Sequence, residues 1–321
     1  MKHALRLPPS LQDLSYQVIP ARVEVTRLLK RIHSASLGLE EIHKHVRQKL
    51  SVGKAFLVGR PGGTESEGVD FFLRHRLGTR KTRRKPYPAW FRKYAKIYSG
   101  ISHTSDIDLD QFNKIYLQSI LESDIIGFGR FAPGALGLVR NACEMGSTVY
   151  HFELLEPWRA IHAGIEPWTS GLADKRVLII HPFVDSIAQQ LDRRSEITGV
   201  KDFLPDFSHE LLSPPVTFAG EPSDKTWVDH LSELVKRVDA KKFDVALIGA
   251  GAYGLPIGAA IKASGRQAIH LGGVTQLLFG VAGKRWKEEP TLSGMVDSTW
   301  ISPSLNERPP GHRLVEAGAY W

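Results

Sequence analysis

Apolar positions along the chain fall into two patterns. Short continuous runs alternate with stretches in which apolar residues recur every three or four positions, the signatures of buried strands and amphipathic helices. Residues 21–50 are of the helical kind. Val25, Leu28, Leu29 and Ile32 share one face, a break is expected at Ser36 or Gly38, and Leu39, Ile42, His43, Val46 and Leu50 begin a second helix. Gly53 punctuates, residues 55–59 form the first buried strand, and Arg60-Pro-Gly-Gly-Thr-Glu65-Ser66 leads into a helix carrying Val69, Phe71, Phe72 and Leu73. A helix is expected over 110–122, then strands over 124–128 and 148–153. The later half repeats the unit, with strands over 176–181, 243–248 and 267–271 and helices over 185–194, 227–238 and 256–263. Strands without a polar face, alternating with helices, predict an α/β fold: a Rossmann-like, mostly parallel, doubly wound sheet with an N-terminal helical extension. The domain division reads as 1–52 for the helical region and 53–321 for the main domain, with an insertion at 74–96 and an irregular, proline-rich tail from 303.

In open α/β sheets ligands sit at the carboxyl ends of the strands, where loops enter helix N-termini. Four such loops, at 59–65, 181–186, 249–254 and 270–276, hold the candidate binding set. Gly62, Gly63, Thr64, Gly249, Gly251, Gly254, Gly272 and Gly273 offer backbone N–H groups; Arg60, His181, Ser186, Tyr253, His270 and Gln276 offer side chains. Such a ring suits a diphosphate-bearing ligand, because N–H groups and helix dipoles attract anions without lysine. Arg60 would offset phosphate charge. Glu65 would bind a hydroxyl, a metal or an acceptor proton, or serve only as a helix-dipole partner. Gly62-Gly63-Thr64-Glu65 lacks the Gly-Lys-Ser/Thr ending of a Walker motif.

Gly249-x-Gly251-x-x-Gly254 follows a strand and matches the dinucleotide fingerprint, so a Rossmann-type NAD or FAD oxidoreductase is an alternative. Against it, His270 stands where an acid should hold the ribose hydroxyls, and tight helix–strand packing also explains the glycines. His181 either faces the crevice or is an ordinary satisfied histidine. His103, His151 and His162 have no partners at metal-ligand spacing, and no Gly-x-Ser-x-Gly elbow is present.

Charge and cysteine content narrow the classes. The 321 residues carry 42 Lys and Arg against 34 Asp and Glu, a net +8. Ten cations, from Arg74 to Lys96, exceed that excess, leaving 8 − 10 = −2 for the rest. Pro86, Tyr87, Pro88, Trp90, Phe91 and Tyr94 interleave with them. A nucleic-acid-binding protein using this arm is a second alternative; an anionic lipid surface or acceptor, touched by Arg83, Arg84, Lys85 and Trp90, is the preferred one. Cys143 is the single cysteine, which excludes an intrachain disulfide framework and suits a reducing compartment. Residues 1–9 lack the apolar run of a signal peptide. The longest stretch free of charge and histidine, 245–261, carries four glycines and a proline and reads as strand, turn and helix, not a membrane span. A cytoplasmic protein is expected.

Taken in order, the four loops resemble the GT-D-fold class of bacterial glycosyltransferases, especially a branch associated with surface-polysaccharide and glycan assembly. The resemblance covers residues 53–321. The family's Arg-x-Gly-Asp-Gly-Glu segment corresponds to Arg60-Pro-Gly-Gly-Thr-Glu65, so its acidic Asp-x-Glu pair falls on Gly63 and Glu65 and only the Glu is kept. Val177-Leu-Ile-Ile-His-Pro-Phe183 with Ser186 and Gln189, Phe243 to Gly254, Ala268 to Gly273 with Gln276 to Gly280, Lys284-Arg285-Trp286 and Glu316 to Trp321 complete the match. The resemblance implies sugar transfer from a nucleotide-sugar donor to a glycan or lipid-linked acceptor, with Glu65 as the key carboxylate. Lys284 and Arg285 would clamp phosphate from outside. With Gly63 in place of the acid, no cofactor is certain, and Mn²⁺ or Mg²⁺ would have Glu65 as its ligand. Peripheral contact with the inner face of the membrane and a homo-oligomeric state are compatible with it; a nucleic-acid partner is not implied.

Overall fold

The computed structural model describes residues 35–77, 84–129, 146–289, 292 and 294–321. Its strands are β1 (Phe56–Gly59), β2 (Ile125–Phe128), β3 (Thr148–His151), β4 (Arg176–Ile180), β5 (Ser208–Leu212), β6 (Val245–Ile248) and β7 (Gln267–His270). They form one sheet in the order β3-β2-β1-β7-β6-β4-β5, every pairing parallel. The protein is thus an α/β protein with a doubly wound, Rossmann-like sheet. Six strands lie within two residues of their expected bounds. The pattern missed β5, whose Ser208, His209 and Glu210 are exposed. An edge strand needs no apolar face, so it leaves no apolar run to find.

The central strands are buried on both sides, which is why they read as continuous apolar runs. Successive side chains enter alternate layers. Leu57, Leu178, Ile180, Ala246, Ile248 and Ala268 enter one core, while Phe56, Val58, Val177, Ile179, Val245, Leu247 and Ile269 enter the other. The first core is covered by α2 (Gly63–His75), α3 (Ala89–Tyr98), α4 (Asp106–Leu121), α6 (Trp227–Asp239) and α7 (Gly254–Ala263). The second is covered by α1 (Ala35–Val52), α5 (Val184–Leu191), the 3₁₀ segment Gly272–Phe279 and the buried indoles of Trp158 and Trp168. The expected break at Ser36 or Gly38 is absent, because α1 runs through both. Gly38 lies against Leu154 of the opposing turn. The helix expected earlier, within 21–34, lies outside the described residues. Helix α4 begins at Asp106, four residues before expected, because Ser105 and Asp108 cap each other's backbone N–H. Thr226 and Asp229 do the same for α6.

The 74–96 segment proves to be partly built into the core. The Arg76 guanidinium is 8% exposed, pairing with Asp110 at 2.8 Å and Asp106 at 3.0 Å. Arg92 also pairs with Asp106, and Arg74 with Asp70 at 2.8 Å. Tyr87 is buried and donates its hydroxyl to Asp110 at 3.1 Å. Among the described residues, Arg74, Arg76 and Arg92 therefore meet acids from α2 and α4, which linear reading could not show. Arg84 and Lys85 are exposed and Trp90 is half-exposed; Arg83, like Cys143, lies outside the described residues. No helix among the described residues is long and apolar enough to cross a membrane.

Candidate functional site

The winding of the sheet opens a crevice. After β1 and β6 the chain enters helices of the first layer, α2 and α7. After β4 and β7 it enters the second layer, as α5 and the Gly272–Phe279 turn. These four strands are neighbours in the order β1-β7-β6-β4, so their loops part over the carboxyl edge of the sheet. The cavity there has a volume of about 490 Å³, within the range of small-molecule sites.

Most of the expected residues come together in it. Arg60, Gly62, Gly63, Thr64 and Glu65 line it from the β1 loop, and His181 from the end of β4. Gly249 and Gly251 follow β6, and His270, Gly272, Gly273 and Gln276 close it from β7.

Glu65 occupies the first turn of α2, 7% exposed, and its carboxylate folds back over Gly62, where an added Cβ would collide with it. The Ser99 hydroxyl donates to it at 2.7 Å. Burial raises the Glu65 pKa above the carboxylate norm, opposed by the Ser99 hydroxyl and its own backbone N–H. The Tyr116 hydroxyl, which accepts from Gly62 N–H at 3.1 Å, stays protonated for want of solvent and because Glu65 is near. Arg60 stacks on Phe152, its guanidinium carbon 4.0 Å from the ring centroid, and donates to the Leu271 carbonyl at 3.0 Å. No carboxylate among the described residues lies within ion-pair distance of it. Burial lowers its pKa, opposed by Glu156, which itself pairs with Arg159 at 2.9 Å.

The two histidines are buried and neutral. Desolvation holds His181 at about 3 and His270 at about 4. Phe183 N–H donates to His181 Nδ1 at 3.0 Å. His270 Nδ1 faces the Ile248 carbonyl at 3.1 Å.

Three residues of the four candidate loops, Ser186, Tyr253 and Gly254, are not in the crevice wall. Ser186 begins α5, but Glu307 of the tail takes its hydroxyl, and Glu307 Oε1 accepts the Asp185 and Ser186 N–H groups at 2.9 and 3.2 Å. An internal carboxylate thus fills the place at that helix N-terminus where a phosphate was expected. Tyr253 is buried, stacked on Trp227 at 5.3 Å, with its hydroxyl on Thr217 at 2.9 Å. Gly254 makes room for the His270 ring. A Cβ there would stand 2.9 Å from Nε2 and closer still to Cε1 and Nδ1. Gly249 does the same for His181, its added Cβ falling 3.0 Å from Nε2 and 2.8 Å from the Thr275 Cβ. The outer glycines of the apparent dinucleotide fingerprint therefore make room for imidazole rings, a packing role more particular than the helix–strand contact expected. Gly273 lies under the Tyr320 ring.

The tail, expected to be irregular, roofs the crevice with Val315, Glu316, Tyr320 and Trp321. Trp321 packs on Phe183 and Phe218. Arg285 lies at the rim, 2.9 Å from Glu316; Lys284 is exposed and does not line the cavity. Tyr98, Ser99, Tyr116 and Phe152 were not foreseen as site residues. Nothing in their local sequence marks them, since each reaches the site through packing of distant elements. Arg84, Lys85 and Trp90 are not brought to the crevice.

A metal cage is not evident. A Cβ on Gly63 would point into open space. No group of three or more His, Cys, Asp or Glu among the described residues could hold an ion. The described residues thus build no all-protein cage for a divalent cation.

The structure thus defines an α/β protein with a deep crevice at the carboxyl edge of a parallel sheet. No family model matches the chain, and no curated protein matches it. Two solved structures align over 83% of this chain and 96% of theirs, both at 12% identity. One is a selenomethionine-substituted structure of domain of unknown function 1792, at a TM-score of 0.35. The other is of the same domain, described as having a distinct glycosyltransferase fold, at 0.36. At such values the likeness adds nothing to the geometry.

Proposed function

We propose that this protein is a glycosyltransferase, moving a sugar from a nucleotide-sugar donor to a glycan or lipid-linked acceptor in surface polysaccharide or glycoconjugate assembly. The observation that carries the reading is the placing, on one crevice, of a buried carboxylate with raised proton affinity and an arginine that has no carboxylate partner among the described residues. Sugar transfer calls for both. The acceptor hydroxyl gives its proton to Glu65, and its oxygen bonds to the anomeric carbon. The bond from that carbon to the phosphate oxygen breaks, and the electron pair leaves with the nucleoside diphosphate. Arg60 and the N–H groups of the crevice meet the charge that grows there. A carboxylate whose proton affinity is raised by burial is a better base than an exposed one. None of these steps calls on a metal. The same reading has the enzyme working in the bacterial cytoplasm at the inner membrane face, with Arg84, Lys85 and Trp90 meeting acceptor or lipid headgroup.

Glu65→Gln should lower transfer from the matched donor by roughly 10²–10⁴-fold with the unfolding midpoint unchanged. Undiminished turnover would remove Glu65 from the chemistry. Thermal shift with nucleoside diphosphates and nucleotide sugars, with and without Mn²⁺, identifies the donor. A panel in which no compound raises the melting temperature overturns the reading.

A further inference from the structure

His181 and His270 stand two strands apart, at the ends of β4 and β7 on either side of β6. Alternation of side chains sends them to opposite layers. His181 follows Ile180 and lies by Gly249 and Thr275, whereas His270 follows Ile269 and lies under Gly254 at the start of α7. Both are 2% exposed and both line the crevice.

Their hydrogen bonds fix opposite tautomers. A backbone N–H can only donate, so His181 Nδ1 is the acceptor and the ring proton sits on Nε2. A carbonyl can only accept, so His270 carries its proton on Nδ1 and a lone pair on Nε2. No protein group among the described residues meets either Nε2. Neither is sealed in the core as an orphan. A buried polar atom left unpaired is costly, and here two glycines are kept at positions where any side chain would displace the rings.

We infer that His181 and His270 are a matched pair of neutral recognition groups, one donor and one acceptor, for an uncharged hydroxyl- or imide-bearing part of a phosphorylated ligand. Arg60, lining the same crevice, takes the charged part. The inference rests on the reading above for the ligand class and adds which residues discriminate. Neutral groups suit this role because they read polarity without attracting every anion. The uncharged part has two sources: the nucleoside, through base or ribose, or the transferred sugar.

The test measures binding of pyrophosphate, UDP and UDP-glucose by calorimetry to the unaltered protein and to His181→Leu, His181→Gln, His270→Leu and His270→Gln. Glutamine presents an amide N–H₂ or a carbonyl oxygen near the former Nε2, so it can replace either role. Each leucine variant should lose about tenfold in UDP-glucose affinity, the worth of one hydrogen bond, and each glutamine variant should recover most of it. Pyrophosphate should bind all five alike. Equal losses for UDP and UDP-glucose assign the pair to the nucleoside; a loss for UDP-glucose alone assigns it to the sugar. Unchanged affinity in the leucine variants, equal loss of pyrophosphate, or no binding by the unaltered protein overturns the inference. Sugar transfer that does not depend on the histidines would leave the proposed function standing without it. Histidine-dependent binding without transfer would do the reverse. Urea unfolding of each variant shows that the fold is kept, and the glutamine variants carry the test if a leucine variant is not.

Discussion

Gly254→Ala separates two explanations of the Gly249-x-Gly251-x-x-Gly254 run. Gly254 has φ −61° and ψ −49°, so alanine meets no backbone strain. Helix propensity favours alanine by up to about 1 kcal/mol. Against this, the new Cβ would fall 2.9 Å from His270 Nε2 and nearer to the rest of the ring, whereas carbon contacts prefer about 3.5–4.0 Å. The ring is buried and tied to Ile248, so it has little room to yield. Overpacking of this kind costs about 1–3 kcal/mol, and a displaced ring forfeits roughly 1 kcal/mol more with its hydrogen bond. Net destabilisation of about 1–3 kcal/mol follows. The assay is urea unfolding of the single variants and of Gly254→Ala combined with His270→Ala. With the ring gone, the methyl fills part of the space it left, and the double variant should be more stable than additivity predicts by at least roughly 0.5 kcal/mol. Gly251→Ala is the control. Its φ of +52° strains alanine, but its Cβ would touch nothing within 4 Å, so it should show no coupling to His270. A Gly254→Ala protein as stable as the unaltered one, or a cycle without coupling, refutes the packing explanation and restores the fingerprint to a ligand.

Acid should weaken the fold. His43, His181 and His270 are held by burial at about 4, 3 and 4 against 6.5 when unfolded. Below pH 6.5 the unfolded chain takes up these protons and the folded chain does not, so stability falls as pH drops toward 4, by about 2 kcal/mol per histidine at pH 5. Glu65 and Glu156, raised by burial, offset part of it because their folded forms hold protons longer. Denaturant unfolding that is no weaker at pH 5 than at pH 7 would contradict this. Arg60→Ala should weaken nucleoside diphosphate binding about ten- to a hundredfold, and Arg60→Lys should recover only part, lacking the planar face that stacks on Phe152; calorimetry at two salt concentrations reads both. Glu307→Ala removes the acceptor from the start of α5 and should cost about 1–2 kcal/mol in urea unfolding, while Glu307→Gln should cost less.

Much of the fold was legible because burial on both sheet faces demands unbroken apolar strands such as 177–180 and 245–248. The loops after them were legible because a parallel sheet directs its ligands to one edge. That rule placed Glu65, Arg60, His181 and His270 at this edge, and all four line the crevice. Ser186 and Tyr253 were expected by the same rule and are engaged elsewhere, with Glu307 and with Thr217 and Trp227. Their partners lie 121, 36 and 26 residues away, and proximity in space at such separations leaves no mark on local pattern.

The positive charge followed the same course. Sequence by itself established that the cations cluster between Arg74 and Lys96, and that the chain alternates strand and helix. Tertiary structure decided that Arg76 and Arg92 turn inward to Asp106 and Asp110, and that the irregular tail roofs the crevice. It also decided that two glycines yield their space to two imidazoles of opposite polarity. Periodicity encodes which faces avoid water, since each residue answers to solvent separately. Ion pairs, caps and tautomers belong to pairs of residues, and the folded chain chooses the pairs.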